Sequence, residues 1–105
     1  MKSKKNTMAG ILDDAYRRYY KNQKITYEEY VIMLNSNDEL WFWHNDIEYQ
    51  VVYTIPDTIT MYITKYDGNK KVSEHFENYN SIIDMLENFK IDGKTIRDIW
   101  NEVSF

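Results

Sequence analysis

Apolar residues recur at helical spacing in the first third of the chain. Between Met8 and about Asn22 they return every three or four residues, and aspartates precede arginines by four positions, so this segment is predicted to form an amphipathic helix. A second helix is predicted to follow Thr26, because Thr26 and Glu29 have the spacing of a capping box. Residues 1–7 show no apolar period and are predicted to be a disordered tail.

The period shortens to two residues in the middle of the chain, which predicts β-strands. The predicted strands are 39–44, 47–55, 59–66 and 71–77. The segments between them are short and carry turn residues, notably Asn45-Asp46, Pro56 and Gly68. Short connections place consecutive strands side by side, so we expect an antiparallel meander.

Two further helices are predicted after the strands. Asn80 or Ser81 can cap the first, and Thr95 with Asp98 forms a second capping box before the last. The pattern predicts an α+β fold in which a four-stranded antiparallel meander is flanked by two N-terminal and two C-terminal helices. We expect a single domain over residues 8–105, with a basic helical extension at 8–24 and a main body at 25–105.

Side-chain alternation divides the predicted sheet into two faces. The hairpin at residues 45–46 places Leu40 and Phe42 on one face, which we expect to be core, and Trp41 and Trp43 on the other. This second face is unusual for its concentration of aromatic rings.

The third strand is expected to continue the division. A three-residue loop that pairs Ile55 with Ile59 keeps Met61 and Ile63 on the core face, whereas a two-residue loop would turn them over. The second face then carries aromatic residues on a polar background. They are Trp41, Trp43, Tyr62 and Tyr66, among Glu48, Gln50, Thr54, Thr60 and Thr64. Two interpretations stay open: this face is a binding surface, or helices cover it as a second layer of core.

The net charge of −4 is unevenly distributed along the chain. The first 25 residues carry seven Lys/Arg and two aspartates, whereas the remaining 80 carry six Lys/Arg and fifteen Asp/Glu. We call residues 26–105, with their net charge of −9, the acidic body. Such a body suits a protein that docks on a basic surface of a partner, and an ordinary solvated acidic surface is the alternative.

Side chains for common catalytic chemistry are sparse. The absence of cysteine excludes disulfides, thiolate nucleophiles and zinc–thiolate clusters, and favours a cytoplasmic location. The sequence shows neither a signal-peptide pattern nor a membrane-spanning apolar run. His44 and His75 are expected on opposite faces of the sheet, which argues against a shared metal site. We therefore expect a protein that is not an enzyme and has no cofactor.

A basic cluster lies at the end of the first predicted helix. It consists of Arg17, Arg18, Lys21 and Lys24, and we call it the basic arm. Such a cluster can contact phosphates, but the negative net charge opposes the attraction that dominates nucleic-acid affinity. A nucleic-acid-binding regulator that uses the basic arm is therefore a secondary hypothesis.

The closing stretch of the chain carries a distinctive motif. Its residues are Ile91-Asp92-Gly93-Lys94-Thr95, followed by Ile99-Trp100-Asn101-Glu102-Val103. This stretch resembles the C-terminal signature of a group of small uncharacterised proteins from low-GC bacteria and their phages and mobile elements. The segment from Thr26 to Tyr49 is similar to the helix-then-hairpin opening of the same group. The resemblance covers residues 26–103 and brings no assigned function with it.

Together these observations favour a binding protein over an enzyme. The leading hypothesis is a small inhibitor from a phage or mobile element, of the anti-CRISPR type, that blocks a nucleic-acid-binding surface of a host defence effector. The alternative is an immunity protein that neutralises a nuclease toxin. The predicted partner-binding residues are Trp41, Trp43, Asp46, Glu48, Tyr62, Tyr66 and Glu74. The expected partner is a protein with a basic surface, and no membrane association is expected.

Overall fold

A computed structural model describes residues 8–36, 38–54 and 58–105 of the chain. Its helices are α1 (Met8–Tyr20), α2 (Tyr27–Asn35), α3 (Ile82–Asn88) and α4 (Ile96–Ile99), and a 3₁₀ turn (Trp100–Glu102) follows α4. Its strands are β1 (Trp41–His44), β2 (Ile47–Thr54), β3 (Thr58–Asp67) and β4 (Lys70–Tyr79). The predicted α+β fold and its order of helices and strands are confirmed. The tail predicted at residues 1–7 lies outside the described residues.

The four strands form one antiparallel sheet in the order β1-β2-β3-β4. In the β2–β3 hairpin Tyr53 lies opposite Ile59, so the predicted pairing of Ile55 with Ile59 is wrong by two residues, and Ile55 itself lies outside the described residues. An offset of two keeps each side chain on its predicted face, because side chains alternate with a period of two. Since Thr54 pairs with Thr58, the loop has the predicted length of three residues.

The hairpin between β3 and β4 contains a β-bulge. Lys65 pairs with Ser73, and the next pair is Tyr66 with Lys71, which leaves Val72 as an extra residue in β4. An extra residue on one strand shifts the alternation of everything beyond it. After Val72, each side chain of β4 therefore lies on the opposite face of the sheet from the one that it would occupy in a regular hairpin.

The bulge decides where His75 lies. A regular hairpin with the same two-residue turn would place His75 opposite Tyr62, whereas in the bulged hairpin it lies opposite Ile63. This position is on the same face of the sheet as His44. The prediction that the two histidines lie on opposite faces is therefore wrong, and the unforeseen bulge is the reason.

The helix starts follow the predicted capping chemistry. Thr26 Oγ1 accepts a hydrogen bond from the Glu29 amide at 3.0 Å, and the Glu29 side chain accepts one from the Thr26 amide at 2.8 Å. Thr95 and Asp98 make the same reciprocal pair ahead of α4. Ser81 caps α3, since its Oγ accepts a hydrogen bond from the amide of residue 84 at 3.0 Å. These caps satisfy amides that the first helical turn would otherwise leave unpaired.

Helices α2, α3 and α4 pack on the face of the sheet that carries Phe42, which we call the core face. Trp100 lies at the centre of this packing, with its ring centroid 4.6 Å from that of Tyr30 and 5.8 Å from that of Phe42. Trp100 Nε1 donates a hydrogen bond of 2.8 Å to the Ile25 carbonyl, which satisfies the one polar atom of the ring. The final helix is shorter than the pattern indicates, because Val103 lies beyond the 3₁₀ turn, yet Val103 is still buried.

Helix α1 is part of the same packed unit. Ala15 and Tyr19 of this helix are buried in the common core. The Tyr19 hydroxyl accepts a hydrogen bond of 2.8 Å from the Trp41 amide and lies 3.2 Å from the Trp41 carbonyl, to which it donates. The segment 8–24, predicted as an extension to the main body, thus contributes to the core and fixes the start of β1.

The two edges of the sheet are finished differently. At the β1 edge, Ser104 forms an isolated bridge to Trp43, with backbone hydrogen bonds of 2.8 and 2.9 Å. At the β4 edge, residues 70–78 are all exposed. The C-terminal segment therefore covers part of the β1 edge, whereas the β4 edge is open in the part of the chain that the structure describes.

Candidate binding surface

The second face of the sheet carries the predicted aromatic residues, and we call it the aromatic face. Rows of paired residues cross the strands, so that Trp41, Gln50, Tyr62 and Phe76 lie side by side. A parallel row contains Trp43, Glu48, Thr64 and Glu74. The structure thus brings together the aromatic and acidic residues that the sequence placed on separate strands.

The aromatic rings of this face are held in contacting pairs. The ring centroids of Trp43 and Tyr66 are 5.3 Å apart, and those of Tyr62 and Phe76 are 5.7 Å apart. Phe76 is 57% exposed, whereas the other three rings are half-buried. The pairs give the face a preorganised aromatic surface, because each ring limits the rotation of its neighbour.

Trp41 differs from the other aromatic residues of this face. Its ring centroid lies 5.0 Å from that of Tyr19 in α1, and it packs against the core cluster. The two interpretations, a second layer of core and a binding surface, therefore apply to different parts of the aromatic face. A helix contacts the ring of Trp41, whereas the contacts described for Trp43, Tyr62 and Tyr66 are with rings of the sheet itself.

Two carboxylates flank Thr64 on the aromatic face. Glu74 accepts a hydrogen bond of 3.2 Å from Thr64 Oγ1, and its other oxygen lies 3.3 Å from Lys71 Nζ. Glu48, on the opposite side of Thr64, is half-buried and makes no hydrogen bond or ion pair within the part of the chain that the structure describes. Burial raises the pKa of Glu48, and the nearby charge of Glu74 raises it further. A positive charge placed above Glu48 would relieve both effects.

Asp46 stands at the tip of the β1–β2 hairpin, next to the aromatic face. Asn45 and Asp46 have φ values of 52° and 65°, the positive values that a tight hairpin turn requires and that Asn and Asp tolerate. The Asp46 carbonyl accepts a hydrogen bond from the amide of Tyr66, 3.3 Å away, and its side chain is exposed. The seven predicted partner-binding residues therefore lie on one face and the turn beside it.

Most side chains of the basic arm make contacts within the fold. Arg18 is bonded to Asp14 and Glu29, and Arg17 lies 3.3 Å from Asp14. Lys24 donates a hydrogen bond of 3.1 Å to the Val103 carbonyl and another to the carbonyl of residue 100, so it holds the C-terminal segment. Burial lowers the pKa of Lys24. Three of the four basic side chains thus make contacts within the fold, although Arg17 and Lys24 remain exposed, as does Lys21.

Sequence reasoning missed a concavity on the core face. It is a cavity of about 260 Å³ that both histidines line. Other lining residues include Tyr49, Ile63, Glu77, Phe89 and Asp92. His44 Nε2 lies 3.1 Å from a carboxylate oxygen of Glu102, so one of its ring nitrogens is already engaged. Among the described residues, His, Cys, Asp and Glu side chains do not gather in any group of three that could hold a metal ion.

Sequence reasoning also missed Phe76, the most exposed ring of the aromatic face. Its position follows from the bulge at Val72, which turns Phe76 to the side of Tyr62. In the sequence, Val72 and Phe76 are apolar residues of a largely polar strand, but their spacing does not reveal the bulge that sets the face of Phe76.

Comparison with known proteins adds no family to these observations, because no family model, curated protein or solved structure matches the chain. The helices of the described ranges are all too short or too polar to span a membrane. The surface must therefore be interpreted from its own chemistry.

Proposed function

We propose that this protein is a non-catalytic inhibitor that binds a protein partner through the aromatic face of its sheet and covers a basic, nucleic-acid-binding surface of that partner. The observation that carries the proposal is the row in which Trp43, Glu48, Thr64 and Glu74 lie side by side. This row places two carboxylates beside the Trp43–Tyr66 pair on the aromatic face. Both components favour the same kind of partner.

The aromatic part of the row supports protein binding. Trp and Tyr are enriched at the centres of protein interfaces, because they contribute a large contact area while losing few rotatable bonds. The Trp43–Tyr66 and Tyr62–Phe76 pairs already limit ring rotation before any partner arrives. Less conformational entropy is therefore lost on binding than with isolated rings.

The acidic part of the row supports a cationic partner. Glu48 is half-buried, and both its burial and the charge of Glu74 disfavour its ionised form. An arginine or lysine side chain placed between the two carboxylates would favour ionisation of both. The net charge of −9 on the acidic body acts in the same direction at longer range, since it steers basic surfaces toward the protein.

Basic protein surfaces that bind nucleic acid are the partners that fit this chemistry. The resemblance to proteins of phages and mobile elements favours a host defence effector, such as a CRISPR nuclease. A nuclease toxin that an immunity protein neutralises is the alternative, because its nucleic-acid-binding surface would also be basic. The regulator hypothesis has less support, because Arg17, Arg18 and Lys24 are engaged in contacts within the fold.

The proposal is tested by affinity capture from a lysate of a low-GC bacterium with three immobilised proteins: the wild type, Glu74→Lys and Glu87→Lys. Glu87 lies on α3 and is exposed, so the control variant has the same change in charge away from the aromatic face. We expect the wild type and Glu87→Lys to retain a common nucleic-acid-binding protein, and Glu74→Lys to retain at least tenfold less of it, since like charges then face each other.

A second measurement shows whether binding also inhibits. The retained protein, once purified, should lose its affinity for DNA or RNA when the wild-type chain is added in excess, and keep it when Glu74→Lys is added. A partner that binds nucleic acid equally well in the presence of the wild type would contradict the inhibitor proposal. Equal retention by all three immobilised proteins would exclude the aromatic face as the contact surface.

A further inference from the structure

The exposed β4 edge of the sheet presents backbone N–H and C=O groups that can form hydrogen bonds with another strand. Strand β4 is one of the two longest strands, at ten residues, and among the described residues β3 is its only neighbour in the sheet. Its outer backbone groups face away from the sheet along residues 70–78, all of which are exposed. Edges of this length are templates for pairing with another strand.

We propose that β4 pairs antiparallel with β4 of a second copy of the chain, giving a dimer with one continuous eight-stranded sheet. The two-fold axis runs perpendicular to the sheet and passes beside Phe76. This inference does not depend on the proposed function, and it assigns an occupant to the one edge that the chain's own C-terminal segment does not contact.

The bulge limits the part of β4 that can pair. Residues 73–79 pair regularly with β3, whereas Val72 is the extra residue of the bulge and interrupts the strand before them. A bulge disrupts the ladder locally and bends its strand, so the residues before Val72 do not continue the edge formed by the residues after it. The ladder between the two copies is therefore expected to span residues 73–79, whose midpoint is Phe76.

Side-chain chemistry along this segment is self-complementary about Phe76. The two Phe76 rings meet at the axis, and each His75 lies opposite Glu77 of the second copy, where an imidazole and a carboxylate can share a hydrogen bond. Glu74 lies opposite Asn78 of the second copy, so its carboxylate faces an amide. Among the described residues of this register, like charges do not oppose each other.

Neighbouring registers lack this complementarity. An axis at Glu74 or at Glu77 places two carboxylates directly opposite each other, which is destabilising. An axis at His75 sets Glu74 against the Phe76 ring of the second copy, where the carboxylate finds no donor. The exposure of Phe76, at 57%, is therefore relieved best in the register centred on Phe76 itself.

The contrast with the β1 edge supports a closed dimer rather than a filament. Ser104 bonds to both backbone groups of Trp43, so the short β1 edge already has a partner. Pairing through β4 alone uses the same surface on both copies and cannot propagate. In the dimer the two aromatic faces lie on the same side of the continuous sheet.

The test is the mass of the full chain in solution, measured by sedimentation equilibrium from micromolar to millimolar concentration. The wild type should approach twice the chain mass of 12.8 kDa as the concentration rises. Phe76→Lys places two like charges at the axis and should raise the dissociation constant at least tenfold. Val72→Lys is the matched control, because Val72 is also 57% exposed on β4 but lies outside the paired segment, and it should dimerise like the wild type.

A charge exchange tests the register independently of Phe76. His75→Glu places a carboxylate opposite Glu77 of the second copy and should weaken the dimer, whereas the double variant His75→Glu/Glu77→His restores the pair and should restore dimerisation. A wild type that stays monomeric at millimolar concentration overturns the proposal. A double variant as weak as His75→Glu, or a Val72→Lys variant as weak as Phe76→Lys, overturns the register. Near-ultraviolet circular dichroism checks that each variant is folded.

Discussion

The two faces of this sheet are both rich in aromatic residues, but they stand in opposite relations to the rest of the chain. On the core face, Phe42 packs against Tyr30 and Trp100, and all three are buried. On the aromatic face, Trp43 packs against Tyr66 within the sheet, and both are half-buried. The same residue types are therefore buried in the core on one side of the sheet and remain partly exposed on the other.

The difference teaches that the polar neighbours of an aromatic ring are more informative than the ring itself. Trp100 has its indole nitrogen bonded to a backbone carbonyl and lies among buried rings. Trp43 lies beside Glu48, whose carboxylate is half-buried. A carboxylate in that position adds nothing to a core, but it suits a surface that receives a cation.

The largest expected effect is on the core face. Trp100→Ala removes the ring contacts with Tyr30 and Phe42 and leaves the Ile25 carbonyl without its donor. We expect a loss of about 3 to 5 kcal/mol in the free energy of unfolding, measured by urea denaturation. A loss below about 1 kcal/mol would show that Trp100 is not central to the core.

A smaller effect on stability is expected for the matching substitution on the aromatic face. Trp43→Ala removes a half-buried ring whose described aromatic contact is with Tyr66, so we expect a loss of about 1 kcal/mol by the same urea assay. Capture of the partner by this variant should nevertheless fall as far as it does for Glu74→Lys. A variant that is strongly destabilised would instead place Trp43 in the structural core.

The smallest effect concerns the charge of Glu48. Because its pKa is raised in the folded state, ionisation of Glu48 costs stability, and this cost is absent in acid and complete once the pH exceeds the raised value. Glu48→Gln should therefore increase the free energy of unfolding at neutral pH by less than about 1 kcal/mol, and leave it unchanged well below the ordinary glutamate pKa.

Glu29 provides the control with the opposite sign. Burial raises its pKa, but hydrogen bonds from Arg18 and Thr26 outweigh that effect and lower it overall. Its contribution to stability is present above the unfolded pKa and is lost as the pH falls through the folded value. Glu29→Gln should thus destabilise the protein at neutral pH. If both variants shift stability in the same direction there, the assignment for Glu48 is incorrect.

Much of the fold could be predicted because its signals are local. Thr26 with Glu29, and Thr95 with Asp98, form capping boxes that depend only on residues three positions apart. The β2–β3 register could be predicted only to within two residues, because pairing Tyr53 with Ile59 or Ile55 with Ile59 leaves the same side chains on each face. Alternation therefore identified the faces but could not locate the turn.

Part of the candidate surface could be predicted for the same reason. The positions of Trp41, Trp43 and Glu48 follow from a two-residue hairpin whose turn residues are visible in the sequence. The position of Phe76 could not be predicted, because β4 alternates weakly between polar and apolar residues and gives no sign of an extra residue at Val72. The engagement of the basic arm likewise depends on Val103, which is remote in sequence from Lys24.

The sequence by itself determined the order of helices and strands, the helix caps and the two faces of the first hairpin, because each depends on residues a few positions apart. Only the tertiary structure decided which side of β4 meets which face, since a single bulged residue reverses the alternation beyond it. It also decided that Lys24 holds the C-terminal segment and that Tyr19 fixes Trp41. These contacts join residues that are distant along the chain, and no local pattern specifies which of many possible partners each side chain will meet.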